Sequence, residues 1–396
     1  MSRTLMLALA VAIAFSGYLS AKEAIVEVAA GRHDRNGTVV SVALPGPLSH
    51  APRHSVLCLD DDSLRTAQVY SDGRPRIMWK LKRPLKAGKT RRFRISPGVR
   101  TPAKIRVRCE DDGKRLVIKV SDKPVLVYNH ALVIPPKGVK PSYARSGYIH
   151  PLYNPTGQVV TDDMSPDHPH QHGVMFPWKY VISKGVEANF WEHNRGPATI
   201  EHIRMSRTDD GAISARIEAE LRYVYKKETW INETWIVRVF DFDEYFVIDL
   251  ESTQQPTRPL TVRKNHYGGM AIRAHRGWKQ DGGGMLTSEG KSRAEGNHSR
   301  PRWVDIFGNI DGKATGVTIM CHPENFRYPQ HVRLHPKMPY FCFAPMVPGS
   351  FELKPGKPFV SRYRFFVHNG KVDVEQVERL WRDYAQPPVV KVVKVN

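Results

Sequence analysis

Three histidines occupy every second position in residues 164–173, which run Met-Ser-Pro-Asp-His-Pro-His-Gln-His-Gly. In an extended chain alternate side chains fall on one side, so His168, His170 and His172 form a row. Neighbours in that row lie about 6.6–7 Å apart and the outer two about 13 Å apart. Two imidazoles at the shorter spacing can converge on one ion. Three cannot without a bend, and the remaining ligands must come from elsewhere. The segment therefore suits substrate binding by the three histidines, or a divalent metal ion held by His168 and His170. The plainer alternative is a solvated polar loop.

Three further clusters carry chemistry. Asn189-Phe190-Trp191-Glu192-His193 sets an aromatic pair beside a carboxylate. Ring faces stack on the C–H surface of a sugar, while Glu192 can bind hydroxyls or move protons. A core aromatic pair with a surface glutamate is the alternative. Residues 264–273 place His266 and Tyr267 before a glycine pair and Arg273 after it. Paired glycines permit close backbone approach, His266 and Tyr267 are candidate proton carriers, and Arg273 is a candidate anion ligand. Residues 321–331 hold His322, Asn325, Arg327 and His331 directly after an apolar strand, where loops at a sheet end often carry sites. The Arg327 guanidinium could fork onto a carboxylate or sulfate. Trp303 and Asp305 precede that strand and could join it.

These side chains need rigid elements beneath them, and strand signals dominate. Residues 25–28, 38–44 and 91–95 alternate or are β-branched between Gly, Pro and Asn punctuation. Residues 22–110 are thus expected to form a small β-sandwich-like module. A turn at Asp111-Asp112-Gly113 and the run 116–120 open a second series. Ile213, Ala215, Ile217, Ala219, Leu221, Tyr223 and Tyr225 keep period two, and 229–239 and 245–252 repeat the pattern. Residues 241–244 supply the turn between those two. Successive strands of this length imply an antiparallel meander with a second sheet on its apolar face. Residues 317–320, 340–343 and 362–367 add strands. One helix is expected after Asp373, with Val374, Val377, Leu380, Trp381 and Tyr384 on one face and Pro387-Pro388 ending it. The fold class is mostly β, with the large domain over 111–386 and a frayed basic tail at 387–396.

Composition narrows the ligand. Among 396 residues, 60 Lys and Arg face 39 Asp and Glu, a formal charge of +21. That excess invites nucleic acid, an anionic membrane surface or an acidic ligand. Residues 1–21 look like a cleaved export signal, with Arg3 before an apolar run from Leu5 to Phe15 that is short for a bilayer span. A secreted or periplasmic protein rarely meets nucleic acid. No basic amphipathic helix supports membrane attachment, and no insertion is expected once the signal is cut. What remains is an acidic or sulfated ligand. The four cysteines could pair locally, as Cys58 with Cys109 and Cys321 with Cys342, or stay as buried thiols. GxSxG, P-loop, HExxH and dinucleotide-binding signatures are absent.

Taken together, the motifs resemble a secreted bacterial family labelled PmoA-like. The match runs through Gly147-Tyr148-Ile149-His150-Pro151-Leu152-Tyr153, residues 167–173, Phe190-Trp191-Glu192, Tyr267-Gly268-Gly269, residues 322–329 and Arg362-Tyr363-Arg364-Phe365, covering roughly 115–370. The label names a membrane-spanning methane monooxygenase subunit, whereas this chain has no apolar span after its leader. The family's His-Pro-His-His step followed by Arg reads His170-Gln171-His172 here. The resemblance implies a galactose-mutarotase-like β-supersandwich, a link to polysaccharide degradation, and His150 and Tyr153 as additional substrate ligands. The expected activity is hydrolysis or β-elimination of an anionic glycan. A sugar-binding or sugar-epimerising accessory role, or a basic cell-envelope structural protein, is the alternative.

Overall fold

The computed structural model describes residues 23–51, 53–98, 103–193 and 196–396. The expected leader at 1–21 lies outside the described residues. The chain divides into two compact units, one comprising the residues up to Ala103 with Pro387–Asn396, the other Lys104–Gln386.

In the first unit a five-stranded sheet runs in the order Val389–Val395, Ala24–Ala29, Thr90–Pro97, His54–Cys58, Leu64–Arg65. A three-stranded sheet is made by Val39–Ala43, Pro75–Lys80 and Ala67–Ser71. Alternation turns Val26, Val28, Val56, Phe93 and Ile95 into one core with Trp79. The C-terminal residues, expected to fray, instead form an antiparallel edge strand with Val28 opposite Val390 and Val26 opposite Val392. A valine-rich, β-branched run favours the pleated surface, and Val390 and Val392 pack against the core. Deleting residues 389–396 should destabilise this unit by about 2 kcal/mol, since two half-buried valines are lost and a paired edge opens. Thermal melting of the truncated chain measures it, and an unchanged transition would contradict the packing role.

The second unit is built on two eight-stranded antiparallel sheets. One follows the order Ala198–Asp209, Ser214–Tyr225, Glu228–Phe240, Phe246–Pro256, Phe359–Asn369, Lys313–Cys321, Trp303–Ile310, Gly283–Thr287. Its second to fourth strands are the meander that period-two alternation implied, with Ile217 opposite Val237 and Val237 opposite Leu250, and Ala198–Asp209 extends it by a strand the alternation did not indicate. The other sheet runs Val332–Leu334, Tyr340–Phe343, Met270–Arg273, Val174–Met175, Tyr148–Leu152, Lys123–Asn129, Arg115–Val120, Val107–Asp111. Because Val107–Asp111 pairs with Arg115–Val120, this strand belongs to the larger unit. Leu126, Ile149, Leu152 and Val174 of one sheet face Ile248 and Phe365 of the other around a small apolar void. The fold is therefore mostly β, two stacked antiparallel sheets, as the strand pattern implied.

Helix Val374–Ala385 begins where the Asp373 side chain accepts a hydrogen bond from the Gln376 N–H, 3.1 Å away. Its Val377, Leu380 and Trp381 are buried. All four cysteines are free thiols, so the local disulfide pairing does not form; Cys58, Cys321 and Cys342 are buried and Cys109 is half-buried. Cys58 and Cys109 in fact belong to different units. No helix among the described residues is long and apolar enough to cross a membrane.

Candidate functional site

Five segments of the larger unit meet in a cleft of about 310 Å³ lined by Tyr143, Asp167, His168, Pro169, His170, Lys179, Trp191, Glu192 and Tyr267. The histidine segment reaches it as a hairpin, strand Asp163–Ser165 returning as His168–His172. As an extended strand it does project His168 and His170 together, their ring centroids 5.5 Å apart. Beneath the hairpin, fully buried Arg273 comes up from the strand Met270–Arg273. Its guanidinium donates to Gln171 Oε1 at 2.8 Å, Ser165 Oγ at 3.0 Å and Asp167 Oδ1 at 3.0 Å. Arg273 is thus an internal clamp, with no surface left to meet a ligand, contrary to the anion-binding expectation.

Asp167 carries that clamp to the cleft rim. Burial raises its carboxyl, but the Ser165 hydrogen bond and the Arg273 and Lys279 charges outweigh burial and hold it below the usual range. His168 is shifted downward from 6.5, chiefly by burial, with Asp167 opposing and Arg273 adding to the fall. Its imidazole is accordingly neutral at pH 7, the form that accepts a proton.

The opposite wall is set by Asn189. Its Oδ1 accepts from the backbone N–H groups of Trp191 at 3.1 Å and Glu192 at 2.9 Å, and its Nδ2 donates to Glu192 Oε2 at 3.2 Å. This turn aims the Glu192 carboxylate at Lys179, whose Nζ is 3.7 Å from Oε1. Lys179 also sits over the rings of Trp191 and Tyr267, 4.9 and 5.1 Å from their centroids. Trp191 is only 3% exposed, stacked on Tyr267 at 4.8 Å and met edge-on by His170 at 4.4 Å. It is a supporting wall and not the open sugar platform expected from sequence.

The glycine pair explains how Tyr267 gets there. Gly268 and Gly269 have φ of +108° and +84°, and a Cβ on Gly269 would stand 2.1 Å from the Phe343 carbonyl oxygen. Only glycine allows this approach, which seats the Gly269 N–H on the Pro177 carbonyl at 2.8 Å. His266 stands just behind, 4.5 Å from the Tyr267 ring and 5.7 Å from His298. Burial lowers its pKa first, and Arg333, His298 and Lys179 lower it further. It does not line the cleft.

The remaining expected ligands lie elsewhere. His172 is 1% exposed and its Nδ1 is 2.6 Å from Asp163 Oδ1, with the Tyr148 hydroxyl donating to Asp163 Oδ2 at 2.7 Å. It supports the hairpin from inside. His150 is bonded to Thr161 Oγ1 at 2.9 Å, and Tyr153 bridges Val159. His322 packs edge-on against Tyr384 of the helix. Asn325 exchanges hydrogen bonds with the Arg362 backbone at 2.7 and 2.8 Å. Arg327 donates to the carbonyls of Pro345, Gly349 and Ser350, so its fork fastens a loop and meets no anion. His331 is half-buried, with Arg300, His298 and Arg327 as its charged neighbours. Residues 321–331 therefore form a structural corner, not part of the cleft. Lys179 and Tyr143, which do line it, escaped the sequence argument; the run Phe176-Pro177-Trp178-Lys179-Tyr180, a cation among aromatics, was the available signal for the first.

No three His, Cys, Asp or Glu side chains among the described residues are grouped to hold a metal ion. His168 and His170, the pair expected from the sequence, are not part of such a group.

Next to Lys179 in the chain, Trp178 Nε1 donates to Gln254 Oε1 at 2.7 Å, and Gln254 Nε2 donates to buried Glu233 at 2.9 Å. Burial pushes the Glu233 carboxyl above its ordinary range, with Ser252 and Gln254 pulling it partly back. The folded chain thus keeps a proton that the unfolded chain releases above about pH 4.5. Stability falls as pH rises from that value through the raised folded pKa. Glu233→Gln should flatten this decline, as denaturant unfolding at several pH values would show; an equally steep decline in the variant would rule Glu233 out as its source.

Residues 115–382 match the model of a family described as a family of unknown function (DUF6807). No curated protein matches by sequence. Among solved structures, a protein in glycosyl hydrolase family 38 from Enterococcus faecalis aligns with a TM-score of 0.46 at 8% identity, over 95% of this chain and 48% of that one. An alpha-mannosidase from Enterococcus faecalis V583 aligns at 0.42 and 8% identity, over 95% and 46%. A galactose mutarotase related enzyme from Lactobacillus acidophilus aligns at 0.30 and 10% identity, over 67% and 100%. The chain thus spans about half the length of the first two.

Proposed function

This chain belongs to DUF6807, a family of unknown function, and we propose that its cleft binds a saccharide bearing a carboxylate and cleaves it by β-elimination. The observation that carries this reading is the meeting, in one cleft, of neutral His168, the hydroxyl of Tyr267 and the ammonium of Lys179. Lys179 faces the sugar carboxylate, whose neutralisation makes the adjacent C–H more acidic. His168 takes that proton. The electron pair forms a carbon–carbon double bond, the glycosidic C–O bond breaks, and the leaving oxygen takes a proton from Tyr267. Glu192 holds Lys179 in place and accepts sugar hydroxyls, and His170 braces Trp191. Hydrolysis needs a carboxylic acid kept protonated near neutral pH. Asp167, shifted the other way, does not supply one.

The leader-like residues 1–21 and the +21 charge support an exported protein meeting anionic glycans, in keeping with the PmoA-like motif likeness. A panel of uronate-containing polysaccharides, followed by ultraviolet absorbance and by reducing ends, tests the reaction. Both signals rising together is the expected result. Reducing ends without absorbance mean hydrolysis, and binding with neither means an accessory role; either overturns the elimination.

A further inference from the structure

We propose that a second pocket of the larger unit, apart from the cleft, binds one acidic sugar unit through a lysine and arginine rim. The pocket has a volume of about 220 Å³ and is lined by Ser183, Lys184, Val186, Tyr225, Lys226, Glu228, Trp230 and Arg258. It lies where two hairpin turns meet. One turn, Lys184-Gly185, joins strands Val181–Ser183 and Val186–Ala188; the other, Lys226-Lys227, joins Ser214–Tyr225 to Glu228–Phe240.

Both turns hold their central residues at positive φ: 47° at Lys184, 77° at Gly185, 47° at Lys226 and 68° at Lys227. Asn and Gly adopt this geometry at little cost, and two-residue hairpins strongly prefer them. Lysine at three of the four positions is a costly choice, explained if cationic charge is needed there. Arg258 adds a third cation to the rim. Its Nη1 donates to Glu228 at 2.9 Å while its Nε has no hydrogen-bond partner. Below the rim the wall is apolar. Val186 is 43% exposed and half-buried Tyr225 lies beside it, its ring packed at 5.0 Å on Trp230, which is only 2% exposed and backs the wall, with Arg258 over Trp230 at 5.6 Å. An apolar wall under a cationic rim matches a sugar ring that carries one carboxylate, with C–H groups inward and the charge at the mouth.

The strand Val186–Ala188 leads directly into the cleft segment. Trp191 follows Val186 by five positions, at most about 18 Å of chain. The pocket therefore lies within reach of a short oligosaccharide held in the cleft. Calling the ligand a sugar rests on the function proposed above; the anion selectivity rests on the pocket alone.

Indole N–H resonances of ¹⁵N-labelled protein, assigned with Trp230→Phe, follow titration with D-glucuronate or D-glucose. Glucuronate should move the Trp230 signal and glucose should not. The doubly substituted K184E/K226E chain should bind about tenfold more weakly, and His168→Ala should leave the Trp230 response unchanged. A Trp230 signal that stays still, responds equally to glucose, or survives K184E/K226E at full affinity overturns the pocket. Movement of Trp230 without cleavage of any polysaccharide upholds the pocket and removes the elimination.

Discussion

His168→Ala should lower turnover of the uronate polysaccharide by about 10²–10⁴-fold, the usual contribution of a positioned general base. The effect should fall on kcat, because the cleft walls made by Lys179, Glu192 and Trp191 do not depend on that imidazole. The wild-type pH profile carries a sharper signature. Burial lowers the His168 pKa from 6.5, so the base form persists into more acidic solution and the acid limb of kcat/KM should lie below pH 6.5. In His168→Ala that limb should vanish along with most of the rate. An acid limb unchanged in the variant assigns it to another group and takes the base role from His168. His170→Ala should do less to kcat and more to binding, because the His170 ring meets Trp191 edge-on at 4.4 Å.

Arg273→Met should destabilise the larger unit by about 3–5 kcal/mol, the range for removing one partner of a buried ion pair. The loss leaves Asp167 with exposed Lys279 as its remaining Lys or Arg partner among the described residues, and strips Gln171 and Ser165 of their donor. Asp162 retains Arg276, 2.6 Å away, but loses the buried charge 3.7 Å from its other oxygen. Arg273→Lys keeps the charge without the fork and should fall between wild type and Met. Denaturant unfolding measures all three. A Met variant within about 0.5 kcal/mol of wild type, the range of ordinary surface changes, would mean that the hairpin is held by its own strand pairing.

The strand framework was legible because burial of one face writes a period of two into the chain. From Ala215 to Tyr223 every second residue is buried, while Glu218, Glu220 and Arg222 stay on the wetter face. The histidine row was legible for the same reason, and His168 and His170 do project together. What sequence could not convey is which charges already have partners. Arg273, Arg327 and His172 have the residue types of ligand-binding groups, yet each is fastened to protein atoms, His172 within its own hairpin and the two arginines through contacts made farther along the chain. The converse holds for Lys179, which looks like one cation among sixty until folding sets it between Glu192 and two aromatic rings. The last strand was missed because a short valine and lysine run carries no partner in its own sequence; Ala24–Ala29, more than 350 residues earlier, supplies it.

A crystal structure of the His168→Ala chain soaked with a uronate oligosaccharide tests the central claim most directly. The sugar should occupy the cleft, its carboxylate within hydrogen-bond distance of Lys179, its acidic C–H facing the space left at position 168, and the glycosidic oxygen near the Tyr267 hydroxyl. A sugar bound only outside the cleft, or held there with its carboxylate turned away from Lys179, would contradict it.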